Sequence, residues 1–346
     1  MRRFSSLPKV LLHDHLDGGL RPATVLALAE DVGYRGLPHA EEEALGAWFD
    51  QSTSASLVEY LDAFEQTISV MQTPDALERV AREAVEDLAA DGVVYAEIRF
   101  APSLHTRRGL RREEVVEAVL AGLSVGEAVT GTVAGVIVDA MRQDTDSLEV
   151  AEVAAGFAGR GVVGFDLAGP EAGFPASGHR RALEAAREAG LHLTIHAGEA
   201  DGPASIADAL DSGAERLGHG VRVADDVTVR DGQIVDLGPV ARRVRDDGIP
   251  LEVCPTSNLH TRAVASAEEH PAAMLLQAGF GVTLNTDNRL MSATSMSREF
   301  QLTADALGLE VDDFRAVTER AVAAAFCDEA TRATVAGRVA AGYDAV

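Results

Sequence analysis

The sequence predicts an α/β fold, a (β/α)8 TIM barrel with extra helices between its first and second strands. Three observations carry that expectation. Eight short runs rich in β-branched residues recur along the 346 residues. Ala/Leu/Glu/Arg-rich stretches with helical spacing separate them, and several runs are entered through a glycine at a helix C-terminal end. Strand alternating with helix eight times calls for parallel strands joined by right-handed crossovers, and eight such units close into a barrel. An open doubly wound sheet is the competing arrangement, but the Gly-rich first turn such sheets use for dinucleotides is missing. One domain, 1–346, is expected.

The first run is PKVLLHDH (8–15). A long connection, 17–92, follows it and holds helical segments at EEALGAWFD and SLVEYLDAFEQTISVM, which are expected to form an outer cap or lid. Its last helix spans 74–91. Thr73 can cap it, Pro74 suits the first helical position, and Leu77, Val80, Ala81, Ala84, Val85 and Leu88 repeat at helical spacing. VVYAEIRFA (93–101) comes next, where Glu97 and Arg99 read as an inward ion pair packing the barrel. TVAGVIVDA (132–140), VVGFDLAG (162–169), LHLTIHAGE (191–199) and RLGHGVRV (216–223) are the third to sixth runs. In 224–248, Asp231-Gly232 between β-branched pairs suggests a hairpin before a helix. PLEVCPTS (250–257) and GVTLNTD (281–287) complete the set.

Composition narrows the chemistry. The chain is 47% hydrophobic and 25% charged, which suits a folded core and excludes a disordered chain. Net charge is −25, so phosphate backbones and anionic lipid are repelled, and neither nucleic-acid nor membrane partners are expected. The longest run without a charged residue or histidine, 271–286, is broken by Pro, Gly, Gln and Asn and is no membrane span. The N-terminus has no apolar h-region ahead of the polar HDH, and the two cysteines, Cys254 and Cys327, have no metal-type spacing. A cytoplasmic, reduced protein is expected. Of the 30 basic residues only Lys9 is lysine, which counts against P-loop, Schiff-base and pyridoxal-phosphate chemistry.

Buried parallel strands should end apolar, yet several of these end in histidine or acid. His13 and His15 alternate onto one face, about 6–7 Å apart along the strand and within reach of one metal ion. His196 and Glu199 end the fifth run, His219 the sixth and Asp287 the eighth. In a barrel these ends converge at the C-terminal mouth, where active sites of this fold lie. Four histidines and two carboxylates buried there unpaired would cost several kcal/mol. A His₃Asp set with an open position suits zinc, whose bound water is a nucleophile near neutral pH. Glu199, three residues past His196, is better placed as a general acid/base than as a ligand, and His219 as the group that deprotonates or orients the water. His39, His105, His179, His192, His260 and His270 read as loop, surface or packing residues. Cys254 reads as a buried small residue.

These residues resemble the adenosine deaminase family of the metal-dependent amidohydrolases. The matches are PKVLLHDHLDGGLRP (8–22), DLAGPE (166–171), TIHAGE (194–199), RLGHG (216–220), CPTSN (254–258) and LNTDN (284–288), in the family's order and spanning nearly the whole chain. The resemblance implies zinc held by His13, His15, His196 and Asp287. It makes Glu199 the acid that protonates purine N1 and His219 the group that orients and deprotonates the water. It also sets the Gly169 N–H against N3, Asp17 against the ribose 5′-hydroxyl, and the ligand His15 beside the substrate. The implied reaction takes adenosine and water to inosine and ammonia. The wider superfamily often bridges two metals with a carboxylated lysine on the fourth strand. This chain has only Lys9, so one metal per chain follows. The residue after Asp287 departs from the familiar pattern: Asn288 stands where a second Asp meets purine N7, and its amide is a neutral donor already. Competing readings are deamination of adenine or of a 5′-modified adenosine such as aminodeoxyfutalosine, and a non-catalytic nucleoside-binding relative.

Overall fold

The computed structural model describes residues 4–52 and 63–346. Its strands are β1 (Lys9–His15), β2 (Val93–Phe100), β3 (Val133–Met141), β4 (Val162–Ala168), β5 (His192–Ala197), β6 (Arg216–His219), β7 (Val227–Arg230), β8 (Gln233–Leu237), β9 (Pro250–Val253) and β10 (Gly281–Leu284). Eight of them form one sheet in the order β1-β2-β3-β4-β5-β6-β9-β10, every pairing parallel, and the expected barrel is thereby met. β7 and β8 make the expected antiparallel hairpin, with Asp231 and Gly232 both at positive φ in its turn.

The barrel closes through the backbone beyond β10. Asp287 bridges Asp14 in parallel register: His15 N–H donates to Asp287 C=O at 2.7 Å, and Asp287 N–H donates to His13 C=O at 3.0 Å. One turn lower the Asn285 side-chain oxygen accepts from Leu12 N–H at 2.9 Å, doing the work of a ladder carbonyl. The seam therefore welds the HDH sequence to the TDN sequence.

Between β1 and β2 the described helices are Pro22–Val32, Glu42–Phe49, Phe64–Val70 and Pro74–Ala90. Residues 56–62 of the expected SLVEYLDAFEQTISVM helix lie outside the described residues. The Pro74–Ala90 helix starts as its sequence requires, with the Thr73 hydroxyl accepting from Ala76 N–H at 3.3 Å. It packs closely on helix Arg112–Thr130 because Gly122 and Gly126 leave room: a Cβ on Gly126 would stand 2.6 Å from Val85 Cβ.

Several strands stop short of their expected ends. β6 ends at His219 and β9 at Val253, because Gly220 turns at positive φ and Pro255 opens a short helix, Pro255–His260. The Glu97–Arg99 reading also needs correction. Both residues are buried inside the barrel, but they do not pair with each other. Glu97 accepts from Tyr95 Oη at 3.0 Å and from Arg216 Nη2 at 2.5 Å. Arg99 bonds Asp166 at 2.8 Å, Glu252 at 2.7 Å and Leu12 C=O at 2.7 Å. Residues two apart on a strand share a face, but here Arg99 reaches Asp166 and Glu252 across the barrel while Glu97 is taken by Arg216. Lys9 lies at the opposite end from the mouth and donates to the carbonyls of Leu7 and Asp91 at 3.0 and 2.6 Å, so it takes no part in the site.

Removing Arg99 strands two buried carboxylates. Arg99→Met should cost about 3–5 kcal/mol in urea denaturation of the metal-free chain. Breaking the exposed Arg315–Glu319 pair with Arg315→Ala should stay within about 0.5 kcal/mol. Equal midpoints for the two variants would contradict the role given to the interior network.

Candidate active site

β1 delivers the first two histidines. Asp14 between them turns away and binds Arg289 at 3.0 Å and Thr286 at 2.8 Å, so His13 and His15 share the opposite face, with ring centroids 5.4 Å apart. His196, next to last on β5, brings its ring within 4.7 Å of His13 and 5.3 Å of His15. His219 ends β6, 4.9 Å from the His13 ring. Asp287 enters from the seam. His219 and Asp287 are both non-glycine residues held at positive φ, 61° and 59°, a conformation the surrounding contacts must enforce.

The donor atoms converge. His15 Nε2 lies 3.3 Å from His196 Nε2 and 3.4 Å from Asp287 Oδ1, and His13 Nε2 lies 3.3 Å from the same oxygen. Ligands held tetrahedrally at 2.0–2.1 Å stand about 3.3–3.4 Å from one another, so the spacing fits a zinc-sized ion. Ligand atoms of His13, His196, His219 and Asp287 all fall within 4.8 Å of one another. Two four-residue sets, one with His15 and one with His219, therefore compete on distance alone.

The partners of the far nitrogens separate the two sets. His13 Nδ1 pairs with Glu252 at 3.0 Å, His15 Nδ1 with Asp139 at 3.3 Å and His196 Nδ1 with Asp166 at 2.8 Å. A carboxylate on Nδ1–H leaves the Nε2 lone pair facing the site. His13 Nε2 is buried with no hydrogen-bond partner, as a ligand atom should be. At His219 the arrangement is inverted: Asn258 Nδ2 donates to Nδ1 at 3.1 Å, so the neutral ring carries its hydrogen on Nε2, which faces Glu199 at 3.5 Å.

The protonation states agree for two of the three rings; at His15 burial lowers the pKa, but the hydrogen bond and attraction to Asp139 outweigh that and raise it to about 9. Burial holds His13 below its ordinary value and takes His196 to about 3 against the pull of Asp166, so both rings are neutral. Burial opposes the Asp287 charge, but the imidazoles packed against it, His13 foremost, outweigh that and hold it well below the usual carboxylate range. Ser257 Oγ donates to its other oxygen at 2.5 Å. Burial raises Glu199, the direction a proton donor at neutral pH requires.

These groups face a cavity of about 460 Å³, within the usual range for a small-molecule site. His15, Asp17, Gly169, His196, Glu199, His219, Asp287 and Asn288 line it, which is every expected site residue except His13, buried beneath them. Gly169 sits at φ 93°, and a Cβ there would meet Gln143 Oε1 at 2.5 Å, so only glycine presents its backbone to the cavity at this point. Asn288 packs its Oδ1 against Gly18.

Several contributors escaped the sequence reading, among them the Asp139, Asp166 and Glu252 carboxylates and the Asn258 amide. Glu171 is the largest: its carboxylate accepts from Gly198 N–H at 2.6 Å, Glu199 at 3.0 Å, Ala200 at 2.8 Å and Asp201 at 2.9 Å. Four consecutive backbone donors bound to one carboxylate fix the turn that carries Glu199. Glu171 lies within the DLAGPE match, but one acid in so acidic a chain gives no signal of its own. His105 and His270, read as loop or packing residues, stand behind site groups. His105 Nε2 is 4.0 Å from Asp17, and His270 Nε2 is 3.4 Å from Asn258 Oδ1, behind the amide that sets the His219 tautomer.

A parallel eight-stranded barrel with a buried His/Asp group able to hold a metal at its C-terminal mouth defines an amidohydrolase-type enzyme. The family model described as adenosine deaminase matches residues 8–342. An adenosine deaminase of Mycobacterium ulcerans is 54% identical over 326 residues, covering 92% of this chain and 90% of that one. This chain therefore belongs to the adenosine deaminase family. Among solved structures, an adenine deaminase from Arthrobacter aurescens superposes with a TM-score of 0.87 at 29% identity, covering 97% of this chain and 98% of its own. An Arabidopsis N6-mAMP deaminase superposes at 0.84, also at 29% identity, over the full length of both chains.

Glu171→Gln offers one carbonyl oxygen to four donors and should loosen the Glu199 turn. Turnover should fall about a hundredfold, the usual scale for misplacing a catalytic group by an ångström, while bound metal measured by emission spectrometry stays at the parent level. An unchanged kcat would remove Glu171 from the mechanism.

Proposed function

We propose that this chain hydrolytically deaminates adenosine and 2′-deoxyadenosine, giving the inosine nucleoside and ammonia, with one zinc ion held by His13, His15, His196 and Asp287. The observation that carries this ligand set is the nitrogen pattern. Three histidines turn carboxylates onto Nδ1 and bare Nε2 lone pairs toward Asp287, and the fourth does the reverse. Zinc bound there would lower the pKa of a water ligand to near neutrality and so supply the nucleophile.

The remaining work falls to side chains. Glu199, whose carboxyl is held above its ordinary value by burial, delivers its proton to purine N1, which disrupts the aromatic ring and leaves C6 open to attack. Thr261 Oγ1 donates to Glu199 Oε1 at 2.9 Å and orients the carboxyl. His219, with hydrogen on Nε2, holds the attacking water by donation, which supports the orienting part of its role. The Gly169 N–H meets N3 and the Asn288 amide meets N7. Asp17, only 4% exposed, takes the 5′-hydroxyl, with His15 nearby. Free adenine would leave that buried carboxylate without its hydroxyl, which favours the nucleoside over the base. An intact proton donor has no use in a non-catalytic binder. Two unpaired cysteines fit a reduced compartment, and we assign the activity to cytoplasmic purine salvage.

Metal analysis of reconstituted protein should give about one zinc per chain, the number one tetrahedral ligand set binds. Full activity reached only at two equivalents would overturn the mononuclear assignment. Glu199→Gln should retain its metal and lose about 10²–10⁴-fold in kcat on adenosine. His196→Ala should lose metal and activity together.

Asn288 is tested by a cycle with 7-deazaadenosine, which offers no acceptor at N7. The parent should prefer adenosine by about ten- to a hundredfold in kcat/KM, and Asn288→Ala should narrow that gap. A gap that survives the substitution means Asn288 does not read N7.

A further inference from the structure

On the outer side of the cavity, helix Phe64–Val70 presents Glu65 and the segment after β2 presents Arg107. Among the described residues Arg107 is the one arginine or lysine on the cavity wall, and it is already engaged. Its Nη1 and Nη2 donate to separate oxygens of Glu65, at 2.5 and 2.8 Å. That fork is the geometry in which a guanidinium grips phosphate as well as carboxylate. Ser69 Oγ, one turn along, donates to the same carboxylate at 3.0 Å. Gln72 ties the two sides together, accepting from Arg107 N–H at 2.9 Å and donating to Leu104 C=O at 2.9 Å.

About half of each side chain is exposed, so the pair stands at the rim where a ligand enters. Two residues before Arg107, His105 stands 4.0 Å from Asp17, so the segment bearing Arg107 runs past the carboxylate assigned to the 5′-hydroxyl. The carboxyl groups on the wall are those of Asp17, Glu65, Asp139, Glu199 and Asp287. A nucleoside brings no charge to this corner, whereas a 5′-phosphate brings about two negative charges and finds no uncommitted cation.

We propose that the Glu65–Arg107 ion pair is a specificity element that excludes 5′-phosphorylated substrates by occupying the guanidinium that would otherwise receive the phosphate. This rests on the adenosine reading of the site. The fold alone does not make the choice, since the Arabidopsis neighbour with the same barrel is named for a nucleotide.

The experiment compares kcat/KM for adenosine and adenosine 5′-monophosphate on the parent, Glu65→Gln, Arg107→Gln and the double variant. Calorimetric affinities for inosine and inosine 5′-monophosphate give the same comparison without turnover. In Glu65→Gln the nucleotide-to-nucleoside ratio should rise about tenfold or more by both measures, chiefly through KM, and the gain should shrink with added salt. The double variant, lacking the freed guanidinium, should return to the parent ratio. An unmoved ratio in Glu65→Gln overturns the proposal. So does an equal rise in the double variant, which would trace the change to a looser rim rather than to charge. A parent that turns over neither compound would instead reject the adenosine reading itself, and the inosine affinities would still report on the ion pair.

Discussion

The carboxylate of Glu252 is the point on which the mouth of this barrel depends. One oxygen binds His13 Nδ1 at 3.0 Å and Arg99 at 2.7 Å, and the other binds Arg216 at 2.7 Å and Thr194 at 2.9 Å. Five strands thus meet at one fully buried group. Arg99 carries the linkage on to Asp166, which pairs with His196, and Arg216 carries it to Glu97 at the far end. An interior filled this way would be a liability if any member were unpaired, because a buried charge without its partner costs several kcal/mol. With its charges paired, the network fixes the tautomer and the aim of two histidines from below, and Asp139 does the same for His15.

The seam between β10 and β1 supplies the second constraint. A sheet closing on itself must match its last strand to its first, and here the match is made where Asp287 meets Asp14. The reciprocal backbone bonds to His13 and His15 set the Asp287 carboxylate against both imidazoles. Closure of the barrel and assembly of the donor set are one event, so a register slip at the seam would dismantle both. Backbone strain at Asp287 is held in place by the same contacts.

Around this rigid centre, loops aim the groups that touch substrate. Glu171 gathers four amides to hold the Glu199 turn, and Asn258, backed by His270, sets the His219 ring. At the rim, carried by helix Phe64–Val70 and the segment after β2, the Glu65–Arg107 pair is half-exposed. Chemistry is thereby fixed deep in the barrel, and discrimination at the 5′ end is left to side chains that change at little cost to the fold.

What the sequence by itself determined was local. Alternation put His13 and His15 on one face, Thr73-Pro74 started a helix, Asp231-Gly232 turned a hairpin, and polar residues at strand ends marked the mouth. Each depends on neighbours a few residues away, and backbone geometry converts that spacing directly into direction. The tertiary structure decided the rest. That Arg99 serves Asp166 and Glu252 and not Glu97, that Glu171 holds the loop of Glu199, and that Asn258 sets His219 apart from the other three histidines follow from contacts across the barrel. Such pairs lie tens to hundreds of residues apart in the chain, and carboxylates and arginines look alike in sequence whether solvated on a helix or buried on the axis. Only closure of the eight strands brings them within hydrogen-bonding distance, where desolvation makes each partner obligatory.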